Sequence, residues 1–129
     1  TARLKYLDIG VTVLLGAPFG SLNFSGPGLF ICAGSGVTPF LPMFKHFDVK
    51  GSKLYYWNSF ENEIIMKEFL DSSLECKFFL TQEKKEGYGF GRVSKEVFVG
   101  SYDRVYVCGP VGFVEVVKKI FPDVAVLAW

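Results

Sequence analysis

The sequence is short of every residue set that would hold a metal. It has one histidine, His46, and three cysteines, Cys32, Cys76 and Cys108, with no Cys-x-x-Cys pair among them. A four-thiolate iron-sulfur cluster cannot be assembled from three cysteines, and a lone histidine gives zinc little support, so no metal site is expected. An odd cysteine count, with each thiol inside an apolar strand-like run, also argues against a disulfide framework. Net charge is lacking as well. Fourteen basic against thirteen acidic residues leave +1, which offers no electrostatic reason for a nucleic-acid or anionic-membrane partner. No uninterrupted apolar run approaches the roughly 20 residues that span a bilayer, and no basic segment leads into a signal-peptide core. We therefore expect no nucleic acid, no membrane insertion, and a soluble, cytoplasmic chain whose ligand is held by local geometry.

What the sequence has in quantity is apolar and aromatic material. Half of its 129 residues are hydrophobic and 14 are phenylalanine, more than a polar-surfaced monomer of one-domain size needs. Part of that surplus is expected to face a partner.

Short β-branched and aromatic runs alternate with helix-length amphipathic stretches. Strands are expected at Leu29 to Ala33, Lys53 to Trp57, Cys76 to Thr81, Arg104 to Cys108 and Val124 to Ala128. Helices are expected at Pro39 to Phe47, Asn62 to Leu70, Ser94 to Phe98 and Val111 to Phe121. The alternation predicts an α/β fold, an open parallel five-stranded sheet with helices on both faces, and the nearly all-apolar strands suit burial from both sides. Val11 to Leu15 also reads as a strand, followed by a Gly- and Pro-rich connection, as though it ended a preceding domain. This divides the chain into residues 1–25 and a domain over 26–129. Glu83 to Gly91 reads as a mobile loop.

The most informative stretch runs from Leu29 to Phe44. A strand ends at Ala33, Gly34-Ser35-Gly36 makes a tight turn, and Thr38-Pro39 has the form of an N-cap followed by proline at the first helical position. Such a turn aims backbone amides at whatever lies beyond the strand end, a place suited to a pyrophosphate, and glycine keeps a Cβ from holding the phosphate off. The full G-x-G-x-x-G fingerprint is not met, since Pro39 stands where the third glycine would be. By spacing alone this is equally a plain strand-to-helix turn, and it names no cofactor. A second strand runs into a glycine-proline turn and helix at Arg104 to Phe113. Two such turns at the ends of parallel strands can face each other across a crevice. Cys108, at the end of its strand, also reads as a small buried hydrophobe.

Other constellations are weaker. Ser35 on a strand-to-helix elbow lacks the glycines of G-x-S-x-G, with Ala33 and Val37 in their places and only His46 as a base. Glu61, Glu63, Glu68 and Asp71 are spaced like the exposed side of a helix, although Glu61 is placed to reach an adenine ribose. The alternating glycines of Gly87 to Arg92 fit a flexible loop better than a phosphate cradle.

The run Ala33-Gly34-Ser35-Gly36-Val37-Thr38-Pro39 resembles the GG(S/T)G(I/V)TP turn of the ferredoxin-NADP reductase superfamily. Cys108-Gly109-Pro110 with Phe113 resembles that family's CGPxxF motif. Leu54 to Leu70 is similar to its second strand and helix, Gly91-Arg92-Val93 to the stretch before its fourth strand, and Thr1 to Phe24 to the closing strand of its flavin barrel. The resemblance implies NAD(H) or NADP(H) as cofactor, with Gly34, Ser35, Gly36, Val37, Thr38 and Pro39 around the pyrophosphate and nicotinamide. It implies that the Thr38 hydroxyl and the Cys108 thiol lie close to the nicotinamide as the catalytic pair, with Gly109 and Pro110 shaping the opposite wall and Phe113 among the cofactor-binding residues. It implies a terminal aromatic, Trp129, against the flavin. FAD or FMN would sit on a missing or partner domain, and electrons would pass to an iron-sulfur or other redox partner protein.

Two departures follow. The flavin-binding Arg-x-Tyr-Ser signature is absent. Where the family often carries an arginine for the 2′-phosphate of NADPH, this chain has Trp57-Asn58-Ser59, which favours NADH, with Lys84 and Lys85 as alternative phosphate ligands. Cut from its sheet, the first strand would leave an exposed edge and apolar patch, so self-association of the isolated chain is expected. A non-catalytic nucleotide-binding or assembly module that retained the fold is the competing reading.

Overall fold

A computed structural model describes residues 6–17 and 22–122, and the backbone of 125–128. Trp129, and the parts of the expected barrel segment at 1–5 and 18–21, lie outside the described residues. The five expected strands are present as β1 (Leu29–Ala33), β2 (Lys53–Asn58), β3 (Glu75–Leu80), β5 (Arg104–Cys108) and β6 (Ala125–Ala128). A two-residue strand, β4 (Gly89–Phe90), is added at one edge. All pair in parallel in the order β4-β3-β2-β1-β5-β6. Helix α1 (Phe40–His46) follows β1, α2 (Lys67–Ser73) precedes β3, and α3 (Val111–Ile120) follows β5.

Side-chain alternation along the strands sorts the core into two layers. Phe30, Cys32, Leu54, Tyr56, Phe78, Tyr106 and Cys108 pack with Phe40, Met43 and Phe44 of α1 and Leu70 of α2. Leu29, Ile31, Tyr55, Trp57, Phe79, Val105 and Val107 pack on the other face with Val114 and Val117 of α3. Helices therefore cover both faces, which is why β1 and β2 carry no polar side, whereas β3, nearer the edge, begins with exposed Glu75 and Lys77. Much of the aromatic surplus is spent here, as in the stacked pairs Phe30–Tyr106 at 4.4 Å and Trp57–Phe79 at 4.2 Å between ring centroids. The Tyr106 hydroxyl donates to the Gly26 carbonyl at 2.6 Å and accepts from the Ser25 amide at 2.9 Å, pinning the connection that enters β1.

Four local readings are corrected. Val11 to Leu15 forms no strand, because a strand needs a hydrogen-bonded neighbour and the described residues offer it none. The expected helix over Asn62 to Leu70 is broken. The Glu63 carboxylate accepts from the Phe60 amide at 2.9 Å and closes a single turn, Ile64 and Ile65 pack on the α1-side core, and α2 starts only after Met66, held left-handed at φ 52°. Ser94 to Phe98 shrinks to one 3-10 turn at Lys95–Val97, with Val97 and Phe98 packed on the α3-side core. The loop at Glu83 to Gly91 is tied down at its end, where β4 pairs with β3 and the Gly91 amide donates to Leu80 O at 2.9 Å.

Candidate functional site

The chain order reverses between β1 and β5: β1 leads outward through α1 to β2, and β5 leads the other way through α3 to β6. Open α/β sheets bind ligands at the carboxyl ends of the strands flanking such a point. A cleft of about 590 Å³ lies there, lined by Ala33 at the end of β1 and Gly34 after it, Trp57 and Asn58 of β2 with Ser59 after it, Thr81 after β3, Arg92 and Val93, Glu63, Pro110 capping α3, and Gly112, Phe113 and Val116 of α3. That volume is within the range of small-molecule sites. From β5 to β3 are three strand spacings, about 14 Å, so the cleft suits an extended ligand.

Its two turns are built by different means. Gly34 has φ +58° and open space where a Cβ would project, so it leaves its backbone bare toward the cleft. Gly36 is buried, and a Cβ there would stand 2.7 Å from the Cys108 carbonyl carbon and 2.9 Å from the Gly109 α-carbon. Gly34 is therefore the position open to phosphate approach, while Gly36 lets the two turns touch. Thr38 is not an N-cap. Its backbone is already helical, at φ −58° and ψ −40°, because the Gly34–Val37 segment is itself a 3-10 turn running into α1. Its hydroxyl turns back to donate to Ser35 O at 2.8 Å. The Tyr56 hydroxyl donates to Gly34 O at 2.7 Å and braces the turn from below.

The α3 N-terminus carries no acidic residue in its first turn, and Pro110, Gly112 and Phe113 of that turn line the cleft. Free amides and the positive end of the helix dipole are thus available to an anion. On the floor, the Trp57 indole N–H donates to Gly91 O at 3.2 Å and fixes the Arg92 segment over the end of β2. Asn58 is 7% exposed and its Nδ2 has no hydrogen-bond partner among the described residues. Burial raises the Tyr56 phenol, and the Asn58 amide beside it offsets part of that rise. A buried donor left unmade costs about 1–3 kcal/mol.

Of the residues singled out from the sequence, Gly34, Asn58, Ser59, Pro110 and Phe113 line the cleft. Val37 is fully buried in the α1-side core, as is Cys108 at 5% exposure, and burial pushes the Cys108 thiol up. Ser35 and Thr38 are exposed, and with Pro39 they stand at the start of α1, outside the lining. Gly109 packs between Phe113 and Ala33. Glu61 accepts from Lys85 at 2.8 Å, which holds its carboxyl below the usual range, and neither lines the cleft. Lys84 sits over the Phe90 ring. Sequence reasoning missed Glu63, Thr81, Arg92 and Val93 as lining residues. Only Gly91-Arg92-Val93 carried a signal, as a stretch resembling a family segment.

This is a doubly wound α/β domain whose switch-point cleft suits an extended, phosphate-bearing ligand. The chain belongs to the oxidoreductase NAD-binding domain family, whose profile matches residues 30–119. Its fold is shared with a flavohemoglobin from Malassezia yamatoensis with bound FAD and heme, at 24% identity and TM-score 0.65 over 81% of this chain and 31% of that one. It is shared too with the FAD/NAD-binding domain of a nitric oxide dioxygenase from Vibrio cholerae, at 19% identity and TM-score 0.71 over 88% and 54%. A ferredoxin NADP+ reductase from Neisseria gonorrhoeae with bound FAD and NADP matches at 18% identity and TM-score 0.63 over 78% and 54%. The chain thus spans between 31% and 54% of the length of these chains. No helix among the described residues is long and apolar enough to cross a membrane, and no group of three or more metal-ligating side chains occurs among them.

Proposed function

We propose that the chain binds NAD(H) or NADP(H) in the switch-point cleft and orients the nicotinamide for hydride transfer to FAD or FMN on a separate flavin-binding domain or subunit. From there electrons pass to an iron-sulfur or other redox partner. The observation that carries this reading is the cleft itself, with the bare Gly34 backbone and the α3 N-terminus at one end and an unsatisfied amide donor at Asn58. The ferredoxin NADP+ reductase of like fold with bound FAD and NADP supports the pairing of cofactors. When bound, the dinucleotide supplies a hydride. This chain's residues bind, orient and exclude water: Gly34 and the α3 amides take the pyrophosphate, and Trp57, Val93 and Phe113 give the apolar wall. In this reading residues 1–25 supply the closing strand and linker once a flavin barrel offers Val11 to Leu15 a pairing partner, Thr38, Cys108 and Trp129 lie where the flavin docks, and the setting is cytoplasmic.

The test is activity against binding. The isolated chain with added FAD is expected to bind coenzyme and to show negligible NADH oxidation. Recovery of the purified chain with stoichiometric flavin and steady NADH oxidation contradicts the proposal.

One observation favours the second reading, a non-catalytic nucleotide-binding or assembly module: the Thr38 hydroxyl is engaged by Ser35 and the Cys108 thiol is buried on the α1 side. NADH oxidation regained on adding a flavin-barrel partner decides for the reductase, and binding without any such gain decides for the module.

A further inference from the structure

We propose that Tyr56 is a positioning residue of the cleft: its buried hydroxyl holds the Gly34 turn in the conformation that opens to a nucleotide, without itself touching the ligand. The inference rests on the coenzyme-binding reading above and assigns what preorganises that site. The hydroxyl donates to Gly34 O at 2.7 Å, while Tyr56 is fully buried and is no part of the cleft lining. The bond matters because of what glycine leaves open. Gly34 stands at φ +58°, and glycine populates positive and negative φ about equally, so the residue alone does not choose between them. A hydroxyl fixed on its carbonyl does. Across a trans peptide the carbonyl and the following N–H point in opposite directions. Drawing Gly34 O inward onto Tyr56 therefore turns the N–H of exposed Ser35 away from the core.

The hydroxyl has no other reason to be there. Tyr56 belongs to the apolar cluster of Cys32, Leu54 and Phe78, where a phenylalanine would fill the same space without burying an oxygen, a burial that is unfavourable unless the oxygen is hydrogen-bonded. The other fully buried tyrosine among the described residues, Tyr106 of β5, does the same at the opposite end of β1. Its hydroxyl donates to Gly26 O at 2.6 Å, and Gly26 is likewise held at a positive φ, +123°. A tyrosine from each neighbouring strand thus pins β1 at one of its ends, with about 16 Å of strand between the two pins. Only the Gly34 pin lies at the cleft. Tyr106 therefore serves as the built-in control, the same bond on the same strand away from the ligand.

Tyr56→Phe and Tyr106→Phe are compared with the parent in the full chain, by thermal melts and by titration with NADH and NADPH. Each variant loses one buried hydrogen bond, so both are expected to melt about 2–8 °C below the parent. Tyr56→Phe is expected to bind the preferred coenzyme about three- to tenfold more weakly, and Tyr106→Phe to stay within about twofold of the parent. That split separates positioning from stability. Coenzyme affinity unchanged in Tyr56→Phe overturns the proposal, and so does an equal loss in Tyr106→Phe, which would mark a general loosening of β1. NMR couplings on the parent need no variant and stand in if Tyr56→Phe fails to fold. A single positive φ at Gly34 before coenzyme is added upholds the brace, and averaging between the two signs overturns it. A parent chain that binds neither NADH nor NADPH overturns the coenzyme reading, a separate result, and the Gly34 couplings then still decide whether Tyr56 holds the turn.

Discussion

Gly36 rests against the main chain of Cys108, so closely that a Cβ would stand 2.7 Å from the Cys108 carbonyl carbon. The two loops that define the switch point are in contact because position 36 has no side chain. Two residues away, Gly34 opens to the cleft with no neighbour in the Cβ direction and a left-handed φ of +58°.

These two glycines should respond differently to substitution. Gly36→Val forces the β1 and β5 turns apart and is expected to cost stability on the order of the 1–3 kcal/mol typical of overpacking. Gly34→Ala meets no neighbour but carries a left-handed strain of about 1–2 kcal/mol, and it should weaken nucleotide binding beyond what its melting shift explains. Thermal melts and binding titrations on both variants check this. A Gly36→Val chain that melts like the parent, or a Gly34→Ala chain that binds like it, contradicts the assignment.

Three thiols stay protonated in the folded chain. Burial raises Cys32 and Cys108, and pushes Cys76 up to about 12. A thiol whose folded pKa lies above its unfolded value of about 8.5 binds its proton more firmly in the native state. Its contribution to stability is whole below the unfolded value and is lost as pH climbs toward the folded one. The urea midpoint should therefore decline as pH rises from about 8.5, and less so in Cys76→Ala. Iodoacetamide at about pH 8 should label native Cys108 far more slowly than an unfolded thiol. Labelling at the unfolded rate would show Cys108 to be an accessible thiolate.

The segment before β1 presents apolar surface to solvent, with Leu14 99% and Leu15 89% exposed and Ile9 and Tyr6 alike. Sedimentation over a range of concentrations should show a dimer or larger species, and Leu14→Lys with Leu15→Lys should shift it toward monomer. A strictly monomeric parent at high concentration rules out this surface as a contact.

Most of the sheet was legible because its strands are buried on both faces. Runs such as Leu29–Ala33 and Arg104–Cys108 have no polar interruption, and their observed bounds match the reading. The glycine turns were legible for the same reason, each closing a clean apolar run. What failed depended on tertiary partners. The break at Met66 follows from packing Ile64 and Ile65, which periodicity does not reveal. The place of Arg92 is set by a hydrogen bond from Trp57 to neighbouring Gly91, 34 residues on. Glu61 and Glu63 look alike in the sequence. Only the Lys85 pair on one and the Phe60 amide on the other decide which carboxylate lines the cleft.

The central claim, a coenzyme site complete in this chain without flavin, is tested most directly by calorimetric titration with NADH and NADPH in the absence and presence of FAD. The account predicts one-to-one binding of at least one coenzyme by the chain alone, with FAD neither required nor itself bound. No heat of binding for either coenzyme up to millimolar concentration, with the fold intact by circular dichroism, would contradict it.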